Sequence, residues 1–252
     1  MLHSVGKLLG IALLACVLVS CSEEETSIRC VLTPEEVVIP ISGETGIDAT
    51  WQAVLDARVV VVFVPTVGYT QASWQATANR VNEQRWSSLR IDPRPTPKSA
   101  RSAGAPWRVS RADSSRTLLM FAEDILASIE WVERKVGPNA KIVLVGSDLG
   151  GVAALRAAAN ARSVYGVALL SPPASGDLLS QDVIQAYGDR PLLVMTELPI
   201  EPTLNTARTL DTWLGRGSTM SLQLSEQTPP TRLEDRVSAQ RTLFSWILKA
   251  TL

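Results

Sequence analysis

The chain has 252 residues, enough for one large α/β domain or two small ones. Hydrophobic residues make up 46% and charged residues 19%, the balance of a chain that buries a sizeable core. Lys and Arg number 24 against 25 Asp and Glu, so no charge excess points to nucleic acid or to an anionic lipid surface.

In chain order, "MLHSVGK" is a short basic start and "LLGIALLACVLVS" an apolar run of signal-peptide length, too short to span a bilayer comfortably. The run ends in "LVSC", Leu18 to Cys21, followed by "SEEE", and this resembles a bacterial lipobox. The resemblance implies cleavage after residue 20 and a lipid on Cys21; Ser22, in place of Asp, then favours the outer membrane, facing the periplasm. "LLAC", ending at Cys16, would truncate the apolar region, and an uncleaved anchor is the plainer alternative. Residues 21–34 read as a polar tether and 35–252 as the folded domain. With Cys16 removed and Cys21 acylated, Cys30 has no intrachain disulfide partner; it reads as a small half-buried residue or an intermolecular thiol. The only His, His3, lies in the cleaved segment, so the mature chain has none.

"EEVVIPI" and "IDATWQAVL" read as two edge strands around the turn "SGETG". "RVVVVFVP", Arg58 to Pro65, runs apolar without alternation, as strands buried on both faces do. "TQASWQATANRVNEQ" reads as a helix and "WSSLRID" as a short strand, followed by a loop with four prolines between Pro93 and Pro106. Leu118, Phe121, Ile125, Ile129 and Val132 recur at helical spacing, with Gly137 as the C-cap. The strand "KIVLVG" then turns through "GSDLGG" into an alanine-rich helix. "VYGVALLSPP", "RPLLVMTE" and "STMSLQLS" read as further strands, with a helix-sized connection, "TLNTARTLDTWLG" and "TRLEDRVSAQRTLFSWILKA" as helices among and after them. Such alternation predicts one α/β domain with a doubly wound, mostly parallel sheet.

This order resembles the α/β-hydrolase fold over about residues 35 to 250. "FVPTVGYTQASW" stands where the family carries its oxyanion loop, "RIDPRPTPKS" where it carries Asp-x-Arg-Gly-x-Gly-x-Ser, and "GSDLGG" at the nucleophile elbow. "PPASGDLLSQDVIQAYGD" leaves no room for a large lid. The resemblance places Asp148 at the nucleophile position, as in haloalkane dehalogenases and epoxide hydrolases, where a carboxylate forms an alkyl ester. Ser147 would take that role only if the turn were shifted by one residue. The bland reading is that Asp148 or Ser147 caps the following helix.

Other members of the machinery are altered. The family's base is a His after the last strand, which here falls near Thr228 to Pro230; Glu226 is the nearby carboxylate that could substitute. Removing the His of such a triad costs on the order of 10⁶ in kcat. The acid position falls on Glu197 or Glu201, and Glu201 is the one carried forward. Pro65 and Thr66 replace the first His-Gly pair of the oxyanion loop, removing an N–H donor and a permissive glycine, while Gly68 remains with Tyr69 after it. Asp92, Arg94 and Ser99 match the second motif, but Pro95 and Pro97 replace its glycines.

Thr66, Gly68, Tyr69, Trp107 and Leu149 are the expected rim of the former active site. Arg94, Lys98, Arg101, Arg108 and Arg111 read as a solvated loop, or as a basic rim for an anionic glycan or lipid head-group. Dinucleotide and phosphate-loop motifs are absent, and neither His nor paired Cys is left for a metal, so no cofactor is expected. Two expectations follow. One is a lipid-anchored pseudoenzyme that binds an unknown protein or small molecule. The other is a hydrolase that uses Asp148 with a base other than His on an ester, epoxide or haloalkane.

Overall fold

The computed structural model describes residues 31–41, 46–94, 96, 114–173, 179–197, 201–214, 219–224 and 235–252. Cys16, Cys21, Cys30, Trp107, Ser99, Glu226, the 228–230 stretch and the basic positions at 98, 101, 108 and 111 lie outside them.

Eight strands form one sheet: β1 (Glu35–Pro40), β2 (Gly46–Gln52), β3 (Val59–Val64), β4 (Ser87–Asp92), β5 (Lys141–Ser147), β6 (Val164–Leu170), β7 (Leu192–Glu197) and β8 (Thr219–Leu224). Their order is β1-β2-β4-β3-β5-β6-β7-β8. β1 and β2 pair antiparallel, as do β2 and β4, and every later pair is parallel. Only β1 of the first two strands is an edge. β2, expected at an edge, is flanked by β1 and β4, and its Ile47, Ala49 and Trp51 are buried on the face covered by helices. A half-buried alternating strand carries the same pattern in either position.

Six helices flank the sheet among the described residues: α1 (Gln75–Glu83), α2 (Ser114–Val136), α3 (Leu149–Asn160), α4 (Gln181–Tyr187), α5 (Glu201–Leu214) and α6 (Val237–Thr251). A 3₁₀ turn, Gln71–Trp74, leads into α1. β3 shows why the sheet is covered twice. Val60, Val62 and Val64 pack with Leu118, Phe121, Ile125, Ile129 and Val132 of α2 and with α3, while Val59, Val61 and Phe63 pack with Trp74, Val81 and the α6 residues Leu243 and Trp246. Ala153, Ala154, Ala157 and Ala158 keep α3 slim enough to be buried against β5 and β6. The C-terminal ends of the parallel strands are where α/β sheets hold their sites, and the β5–α3 turn lies there.

Candidate functional site at the strand-to-helix turn

β5 ends at Ser147 and α3 starts at Leu149, so a single residue, Asp148, makes the turn. Its backbone sits at φ 50 and ψ −124, a strained combination for a residue with a side chain. The position is held on both sides: the Asp148 N–H donates to the Leu170 carbonyl at 2.8 Å, and its own carbonyl accepts from the amides of Gly151 at 3.1 Å and Val152 at 3.3 Å. Glycines make the crossing possible. A Cβ on Gly146 would stand 2.6 Å from the Gly150 oxygen, and one on Gly150 would overlap the Pro65 carbonyl. The elbow therefore falls on Asp148. Ser147 is a buried strand residue facing Leu170 in the ladder.

The carboxylate of Asp148 does not cap α3. Instead it turns towards the loop after β3 and accepts a hydrogen bond from Thr66 Oγ1 at 2.8 Å. Burial pushes its pKa above the ordinary aspartate value, and the Thr66 hydroxyl and the Leu149 amide pull it part of the way back. Its partners are a hydroxyl 82 positions away and the first amide of α3. The Thr66 loop is a tight turn, closed by the Tyr69 N–H on the Thr66 carbonyl at 3.1 Å, with Gly68 at φ 90. Thr66 and Tyr69 are half-buried beside it. Leu149 contributes its amide to the site, whereas its side chain lies in the core.

Two anchors that the sequence reading missed fix this loop and its neighbour. The Gln71 N–H donates to Asp92 Oδ1 at 2.7 Å and its Nε2 to Oδ2 at 3.2 Å, tying the β3 loop to the end of β4. Arg94 donates from its amide to Asp124 Oδ2 at 2.7 Å and from Nε to Oδ1 at 2.8 Å. Asp124 was legible as a lone acid on the apolar stripe of α2, between Phe121 and Ser128. Glu197 ends β7 and Glu201 begins α5. Among the described residues, no group of three His, Cys, Asp or Glu is placed to hold a metal ion, and no helix is long and apolar enough to cross a membrane.

Solved structures share this arrangement. A dienelactone hydrolase from Anabaena variabilis superposes with a TM-score of 0.66 at 17% identity, covering 86% of this chain and 95% of its own. The fold is that of the α/β-hydrolases. An esterase from Pyrococcus furiosus gives 0.65 at 10% identity, over 87% of this chain and 92% of its own. An esterase from Pyrobaculum calidifontis gives 0.60 at 17%, over 88% and 85% respectively. Likeness at these identities is likeness of fold. No family model matches the chain, and no curated protein matches it.

Within the α/β-hydrolase fold, an elbow carboxylate with a raised pKa has a consequence for stability. The folded chain keeps the Asp148 proton over a pH range in which the unfolded chain, at an ordinary aspartate pKa of about 4, has lost it. Stability is thus lost as pH rises through the folded value. Asp148→Asn keeps an acceptor for Thr66 and tolerates the turn, so it is expected to raise stability by about 1 kcal/mol at pH 7. Denaturant midpoints measured from pH 7 downwards should show that gain shrinking and disappearing below about pH 4.

Proposed function

We propose that this chain is a lipid-anchored protein of the bacterial envelope, facing the periplasm from the outer membrane. It uses the α/β-hydrolase fold to bind a partner or small molecule without triad catalysis. The observation that carries this reading is the Thr66–Asp148 hydrogen bond. The residue standing in place of the oxyanion-loop glycine spends its hydroxyl on the carboxylate that would have to attack. A carboxylate nucleophile must be ionised, and here burial favours the protonated form. Deacylation would then need a base, and the one His in the sequence is His3.

The competing reading, a hydrolase with Asp148 as nucleophile, draws on the retained elbow geometry at that residue. Both can be tested on the full chain purified in detergent. Ester, epoxide and haloalkane panels and a fluorophosphonate probe are expected to give no turnover and no change in intact mass. Turnover abolished by Asp148→Asn would replace the pseudoenzyme reading with the hydrolase one. An adduct on Asp148 without turnover would indicate that capture survives while hydrolysis does not. The anchor has its own test: Cys21→Ser should leave the chain unlabelled by palmitate and release it from the membrane fraction.

A further inference from the structure

The antiparallel end of the sheet carries a second polar constellation, away from the elbow. Glu36 on β1 stands opposite Thr50 on β2, which stands opposite Arg90 on β4; one pleat along, Val38 stands opposite Asp48, which stands opposite Asp92. Alternate residues of a strand share a face, so all six lie on the face that turns away from α2. A cavity of about 480 Å³ opens there, bounded along one side by Thr70, Gln71 and Gln75. That volume is typical of small-molecule sites.

Arg90 is the decisive residue. It is only 6% exposed and lines the cavity. Its single hydrogen bond is a long one, from Nη1 to the Gln71 carbonyl at 3.4 Å. Glu36 and Asp92 act on it at a distance, yet no described carboxylate lies within ion-pairing range. A guanidinium has five N–H donors, and among the described residues only Nη1 has a protein acceptor. The remaining donors are left to water or to a ligand in the cavity.

Asp92, 1% exposed, is already held by the Gln71 amide and side chain. Glu36 Oε1 and Gln71 Oε1 both lie against Thr50 Oγ1, at 2.7 and 2.6 Å, but a hydroxyl has one hydrogen. One of the two oxygens is therefore short of a donor. The cavity thus lacks an acceptor pair at Arg90 and a donor beside Glu36.

We propose that the cavity binds a small zwitterion of the α-amino acid type, its carboxylate on the Arg90 guanidinium and its ammonium towards Glu36. An anion alone would meet the Glu36 carboxylate, and a cation alone would meet Arg90. A molecule carrying both charges suits each group it reaches. One strand, β3, lies between the cavity's β4 and the β5 that leads into Asp148, and the inference does not depend on whether the elbow is catalytic.

Calorimetric titration of the full chain in detergent tests this with four probes: alanine and alanyl-alanine, which carry both charges, propionate, which lacks the ammonium, and isopropylamine, which lacks the carboxylate. The zwitterions are expected to bind, with propionate and isopropylamine weaker by about tenfold or more. Arg90→Met should abolish binding while leaving the melting temperature at or above that of the parent, and Glu36→Gln, on an exposed strand position, should weaken alanine several-fold with the fold intact. The proposal is overturned by the absence of zwitterion binding at about 10 mM, by propionate or isopropylamine binding as tightly as alanine, or by an affinity for alanine that survives both substitutions.

Discussion

Replacing Gly150 by Ala is expected to destabilise the chain by about 3 kcal/mol or more, the upper end of what overpacking costs. The new Cβ would overlap the Pro65 carbonyl, a backbone atom at the end of β3, with Val64 Cγ1 at 3.1 Å behind it. Neither group can step aside cheaply, because Val64 pairs with Gly146 in the β3–β5 ladder. Relief would have to come from α3 moving off the sheet, and α3 is buried along most of its length. Gly137→Ala is the matched control. That position has φ 79 but open space around it, so only the backbone penalty of about 1 kcal/mol applies. Urea midpoints of the two variants should separate clearly; equal losses would mean that the β5–α3 crossing is looser than its contacts imply.

Asp124→Ala ranks next, at about 2–3 kcal/mol. Its carboxylate is fully buried and takes both the amide and the guanidinium of Arg94, with Nη2 at 2.6 Å from Oδ1. The two partners respond differently to the pairing. Hydrogen bonding to Asp124 raises the pKa of Arg94, whereas Asp124 is itself raised, because its desolvation outweighs what Arg94 returns. Breaking a fully buried pair costs about 3–5 kcal/mol, but the Arg94 side chain is 29% exposed and regains water, which lowers the figure. Asp124→Asn keeps one acceptor and should fall between parent and alanine variant. The nearby Glu123 contact, at 3.3 Å on a side chain 65% exposed, should contribute little, so Glu123→Ala is expected to be nearly neutral.

Much of this fold was legible because local pattern and global topology agree. The unbroken β3 run, the Leu118 to Val132 stripe and the glycines about Asp148 each announce their burial without reference to the rest of the chain. Where reading failed, the deciding partner was distant. Nothing near Asp148 reveals that Thr66 will take its carboxylate. The place of β2 inside the sheet depends on β4, about forty residues on. "WSSLRID" reads as a strand with a polar face, yet only the three-strand register shows Arg90 and Asp92 buried beside Glu36 and Asp48.

The Thr66–Asp148 bond also constrains descent. On the proposed non-catalytic reading, a carboxylate that burial holds above the usual aspartate range and that Thr66 occupies is more than one mutation away from chemistry. Restoring a glycine at 66 would release the carboxylate but supply no base; adding a histidine after the last strand would supply a base with nothing freed to serve. On the proposed reading each change alone brings no turnover, while Thr66 offers an immediate partner for a buried acid. If that proposed reading holds, the hydrogen bond works as a ratchet that keeps the fold from hydrolysis.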